Sequence, residues 1–198
     1  RRYAASFRKA CRERRLASGG QAGVPEPGPV RLRANVQGGL PPMALDHLAA
    51  MSDDTGIFQH AVHAIADRSH GYCIDDNARA LLLCCGLAGG PDAALARRLS
   101  PTFPAFIQHG WNPDNRRFRN FMGFDRRWLE DAGSEDSHGR TLWALGAYSA
   151  RACSLGHARW AKELFSEALG EVEAFTTPRS WAFTLLGLAS YCAVYAED

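Results

Sequence analysis

Apolar residues recur at helical spacing through most of the chain beyond residue 43. Residues 46–51 read as a short helix that ends in a turn at 52–56, and 57–74 are polar and irregular. The stretch 76–88 is apolar nearly all round, which predicts a helix buried on every side. Residues 92–109 place Leu95, Leu99, Phe103, Phe106 and Ile107 on one face, while Pro101 and Pro104 break the stretch into two short helices. Residues 110–134 are polar and aromatic. The alternation at 117–124 predicts a short β-hairpin or loop insertion near 111–128. A second helix without a polar face covers 139–152. An amphipathic one follows over 157–175, with Trp160, Leu164, Ala168, Val172 and Phe175 in register, and a third apolar helix covers 180–195.

Helices that are apolar all round thus alternate with amphipathic ones, and Gly86, Gly146 and Gly187 fall at equivalent places in the three apolar helices. That is the pattern of helical hairpins with an inner and an outer layer. It predicts an all-α fold, an α/α toroid-like array amounting to about half of an (α/α)6 barrel.

Composition refines the organisation. Residues 1–17 are basic and helix-permissive, 18–42 form a Gly/Pro-rich linker, and the hairpin domain spans 43–198. Residues 1–33 carry a net charge of +7 (nine basic residues against two acidic), so the near-neutral total of +2 hides an acidic remainder of −5. The basic arm has sparse aromatic interleaving, so nucleic acid is not expected as a partner. Six cysteines without a C-x-x-C pair read as buried core residues of a reducing compartment. No signal peptide and no apolar run of about 18 residues is visible, which predicts a cytoplasmic protein without a membrane span. The chain starts with Arg and ends inside an apolar helical pattern, so it reads as part of something longer, truncated at its C-terminus.

Candidate chemistry lies where the apolar helices begin. Aligning Gly86 with Gly146 superposes Asp75-Asp76 on Glu135-Asp136, ten and eleven positions upstream in both copies. One such carboxylate is explained as a helix N-cap. Two, twice, beside His70, Tyr72, Arg79, His138 and Arg140, point to a site. Paired carboxylates are the groups that glycosidic bond chemistry requires, one to protonate the leaving oxygen and one to stabilise the sugar cation or activate water. Asp75, Asp76, Glu135 and Asp136 are therefore the expected catalytic residues. The expected substrate-binding set is Asp67, His70, Tyr72, Asn77, Arg79, Asn120, Trp128, His138 and Arg140. The arginines would hold carboxylates ionised or grip a phosphate. The loops at 67–79, 133–140 and 176–180 should meet around one cavity. No metal-ligand spacing and no nucleotide-binding signature is present, so neither a metal nor a cofactor is expected.

Several of these strings carry a family resemblance. They are Asp53-Asp-Thr-Gly-Ile-Phe-Gln-His60, Asp67-Arg-Ser-His-Gly-Tyr-Cys-Ile-Asp-Asp-Asn-Ala-Arg-Ala80, Arg117-Phe-Arg-Asn-Phe-Met122, Asp125-Arg-Arg-Trp-Leu-Glu130 and Gly133-Ser-Glu-Asp-Ser-His-Gly-Arg140. Together they resemble the α-helical C-terminal region of bacterial group 1 glycosyltransferase-type proteins, in which a transferase module precedes a six-hairpin, glycosidase-like domain. The resemblance covers about residues 43–195. It implies carbohydrate metabolism, a carbohydrate substrate and a preceding glycosyltransferase module whose closing helix is residues 1–17. It transfers no catalytic residue. A non-catalytic helical scaffold that binds a glycan or a partner is the alternative. A sugar epimerase-like toroid using His70 and His138 is another. A terpenoid-type cyclase is disfavoured by the polar, Arg-rich loops.

Overall fold

The computed structural model describes residues 44–195, which belong to the compact unit Ala44–Asp198. The basic segment 1–17 and the linker 18–42 lie outside the described residues. The described part is mainly helical with small antiparallel strand pairs. A short helix α1 (Asp46–Ala50) comes first, followed by the strand pair β1 (Ala61–Val62) and β2 (Ile65–Ala66) and then β3 (Tyr72–Cys73). Helix α2 (Ile74–Leu87) follows at once, then α3 (Ala93–Leu99) and α4 (Thr102–Gly110). The chain breaks between α3 and α4 because Pro101 and Pro104 have no amide hydrogen to give to a continuous helix. They fall just before and inside the first turn of α4, where none is needed.

Three strands follow: β4 (Trp111–Asn112), β5 (Arg117–Phe118) and β6 (Phe121–Met122). β4 pairs with β5 as the expected hairpin, but β6 pairs back on β3, with Tyr72 opposite Met122. Gly71 makes this return possible. Its φ of 64° is left-handed, and a Cβ there would overlap the Met122 carbonyl. The last helices are α5 (Glu135–Arg151), α6 (Leu155–Leu169) and α7 (Pro178–Tyr195), with a 3-10 turn at Gly170–Ala174 between α6 and α7. α5 is the hub and packs against α2, α6 and α7. The core gathers Ile74, Leu81, Phe103, Ile107, Phe118, Leu142, Leu145 and Phe165, all essentially without solvent contact.

Three expectations are corrected. α7 is not buried on every side: Ser180, Thr184 and Gly187 are its buried residues, while Trp181, Leu185, Leu186 and Val194 are 44–64% exposed. The three glycines are not equivalent either. Gly146 and Gly187 face each other, backbone to backbone, and Gly139 meets Ser180 in the same way. At Gly86 an added Cβ would touch nothing. The cysteines also divide, with Cys73, Cys84 and Cys85 buried but Cys153 and Cys192 exposed. No helix among the described residues is long and apolar enough to cross a membrane.

Candidate functional site

The N-termini of α2, α5 and α7 contribute to one cleft of about 410 Å³. α2 supplies Asp75, Asp76 and Arg79, α5 supplies Asp136 and Arg140, α7 supplies Arg179, and the strand segment between β5 and β6 supplies Asn120 and Phe121. Local sequence explains each start. Ser134 caps α5 by accepting the Ser137 amide at 3.1 Å. α2 has no side-chain cap of its own. Its first amides are capped from 45 residues away: Ile74 donates to the Asn120 carbonyl at 2.8 Å, and Asp75 donates to Asn120 Oδ1 at 3.3 Å. Asp75 and Asp76 therefore do not cap the helix. They sit in its first turn, where the helix dipole favours negative charge.

Asn120 and Phe121 are placed by Glu130, whose Oε1 accepts both of their amides at 2.8 and 2.9 Å. Pattern reading of the sequence missed Glu130 as a positioning residue, since its partners are a loop away.

The cleft interleaves three carboxylates with three guanidiniums. Asp75 is held twice, by Arg79 at 2.7 Å and by Arg140 Nε. Arg140 also lies over the Phe183 ring, 4.1 Å from its centroid, so one side chain joins α2, α5 and α7. Asp136 accepts from Arg179, with Nε at 2.7 Å and Nη2 on the same oxygen. Asp76 is the least engaged. It accepts from the Cys73 thiol at 3.0 Å and meets Arg79 at 3.5 Å. Burial pushes the Cys73 thiol far above its usual range, and the neighbouring Asp76 adds to the effect, so the thiol stays a protonated donor.

Other expected site residues lie elsewhere. Glu135, next to Asp136, does not line this cleft. Its carboxylate accepts the Thr176 and Thr177 amides at 3.0 and 2.8 Å and both threonine hydroxyls, and so fastens the entrance of α7. Those Thr177 bonds, then the Thr176 bonds, hold its pKa below the ordinary value. Replacing Glu135 with Ala is expected to speed amide exchange in the first turn of α7 while leaving α2 protected, as read by hydrogen–deuterium exchange.

Tyr72 is buried, stacks on Phe58 and donates to Asp53 at 2.7 Å. Asn77 is buried and bridges the Ile57 amide and the Cys73 carbonyl. Trp128 packs on Phe106 and His109. Asp67 accepts from Ser69 and lies 3.6 Å from His70. His70 does not line the cleft. Its ring meets His60 edge-on at 4.5 Å, and His60 is the imidazole that does line it.

His138 is fully buried among Trp111, Phe118 and Phe175, with Nε2 on the Ala168 carbonyl at 3.0 Å. It is a core residue that lines no cavity among the described residues, so it cannot face His70 as the acid–base pair of an epimerase would. Sequence reading also left out Arg179. Its signal is its place at the mouth of the third apolar helix, in a loop expected to reach the cavity. No group of three or more His, Cys, Asp or Glu among the described residues is arranged to hold a metal ion.

No family model matches this sequence, and no curated protein is significantly similar to it. The likeness to the helical region of glycosyltransferase-type proteins rests on the motifs alone.

Proposed function

We propose that this chain is a carbohydrate-active domain, half of an α/α toroid, that binds or processes a glycoside in the cleft between the mouths of α2, α5 and α7. One observation carries the reading: Asp75, Asp76 and Asp136 line a single open cleft although two of them stand about sixty positions from the third. Carboxylates that gather where helix N-termini open are suited to the cationic transition state of glycosidic chemistry. Asp76 is the group we assign to proton transfer, because it is the least engaged of the three, 3.5 Å from Arg79, whereas Asp75 and Asp136 each accept from a guanidinium at 2.7 Å. Asp75 and Asp136 then serve as fixed negative charge beside the developing cation. The motif resemblance supports the same class and a transferase module preceding this domain.

A binding-only scaffold remains the second reading. The pairing of Asp75 and Asp136 with arginines favours it, since groups already engaged need not react. The two part on Asp76→Asn. The intact protein is to be screened against oligosaccharides and nucleotide sugars with product analysis. Under the catalytic reading the variant keeps affinity and loses about 10²–10⁴-fold in turnover. Under the scaffold reading the parent shows binding and no turnover. If no saccharide binds the parent, or if Asp76→Asn and Asp136→Asn both bind and turn over like it, the carbohydrate site is not here.

A further inference from the structure

Helix α7 carries two stripes on opposite sides. Ser180, Thr184, Gly187 and Tyr191, spaced four, three and four apart, face inward: the first three are buried and Tyr191 stacks on Phe165. Two positions further on, the same spacing recurs in Ala182, Leu186, Ala189 and Ala193, and all four are exposed. Two residues turn a helix by about 200°, so the second stripe lies across the helix from the first. Trp181 and Leu185 flank it, 44% and 64% exposed. They also form one wall of a groove of about 700 Å³ whose other wall is Leu169 and Val172. No charged residue occurs from 180 through 195. A surface helix ordinarily turns a charged or polar side to water, and a continuous apolar face of this length marks a contact surface.

Charge and size decide what the face takes. A charged partner would lose its hydration there and gain no counter-charge, so the complement is another uncharged helix face. Among the described helices, α7 alone offers one of that length. A two-fold axis sets it against itself and brings no like charges together. At 1.5 Å per residue the contact is about 24 Å long and buries about 500 Å² on each copy, or about 1,000 Å² in all, the lower bound of a specific interface. That suits a reversible dimer.

We infer that α7 docks a second copy of this chain, the two helices running antiparallel about an axis near Ala189, so that Leu186 of one copy meets Cys192 of the other. None of these residues lines the cleft, and the inference stands apart from the glycoside reading.

The test is sedimentation equilibrium of the whole chain between about 1 and 300 µM. A monomer–dimer equilibrium with a midpoint of about 1–100 µM is expected. The midpoint should move less than about twofold between about 50 and 500 mM salt, because the contact holds no charge. Leu186→Lys and Leu185→Lys each place an ammonium in the contact on both copies, and each should weaken association at least about tenfold. Both positions are exposed, and thermal melts at about 1 µM check that the variants fold. In a chain whose Cys11, Cys153 and Cys192 are replaced by Ser, Ala189→Cys should be joined to its mate by a short bismaleimide. Leu155→Cys, exposed on α6, should not.

A monomer at every concentration overturns the inference and leaves the face to a different protein. Growth beyond two copies, or adsorption to phosphatidylcholine vesicles in place of pairing, overturns it as well. So does parent-like pairing by both folded lysine variants, which would put the dimer contact elsewhere.

Discussion

Acidification from pH 7 to pH 4 is expected to remove about 3 kcal/mol of folding stability through His138 alone. Its imidazole is buried against aromatic rings, without solvent contact. The Ala168 carbonyl can only accept, so Nε2 carries the hydrogen and Nδ1 is bare, buried and without a partner. A proton added at Nδ1 would create a buried cation whose new N–H points at nothing. Desolvation accordingly depresses the pKa from 6.5 to about 4, with Arg117 a lesser contributor and the Ala168 bond opposing it.

In the unfolded chain the same ring takes its proton near 6.5. The contribution of His138 is therefore complete above pH 6.5, declines by about 1.4 kcal/mol per unit below it, and is exhausted near pH 4. Glu135, whose pKa is lowered in the fold, loses its contribution as the pH falls below the ordinary carboxylate value, so the upper part of the window belongs to the histidine. Urea midpoints measured from pH 7 to 4.5 check this. His138→Gln, which keeps a donor for Ala168 and cannot titrate, should flatten the slope. An unchanged slope in that variant would assign the acid sensitivity elsewhere.

A single methyl separates the next pair of outcomes. Gly146→Ala should destabilise by about 3 kcal/mol, because the added carbon lands on the Gly187 carbonyl and forces α5 and α7 apart there. Gly86→Ala should stabilise by up to about 1 kcal/mol. It is exposed in the last turn of α2, an added Cβ meets nothing there, and alanine is the better helix former. Thermal melts of both variants decide the matter. Equal losses would mean that Gly86 and Gly146 play one role after all.

Those glycines mark where sequence reading stops. Periodicity gave α2 and α7 to within two residues of their ends, because a 3.6-residue repeat is a property of one segment, but it started α5 four residues late and ran α6 six residues too far, through the 3-10 turn at Gly170–Ala174. Which glycine meets which backbone is a property of two. The proline break between α3 and α4 was legible for the same local reason. The exposure of α7 was not, since an apolar composition does not say whether a neighbour covers it.

The site divides along the same line. The convergence of Asp75, Asp76 and Asp136 followed from the order of the helices, but Glu135 and Asp136, adjacent in sequence, part by about 100° around α5. One turns to the amides at 176–177 and the other to the cleft. Ser-His-Gly occurs twice, yet His70 lies in an exposed 3-10 turn and His138 inside a buried helix. Asn120 as a cap, Glu130 as its holder and Arg179 as a partner of Asp136 join distant segments, and no local pattern gives those pairings.

The direct backbone approach of α5 and α7 has an evolutionary consequence. Arg179 is hung on a seam made of Gly139, Gly146, Ser180 and Gly187, where main chain touches main chain and rotamers have no say. Outward positions such as Leu185, Leu186 and Val194 can be recruited for new contacts without moving that guanidinium. The position of that guanidinium in the cleft is thus insulated from the surface history of the helix that carries it.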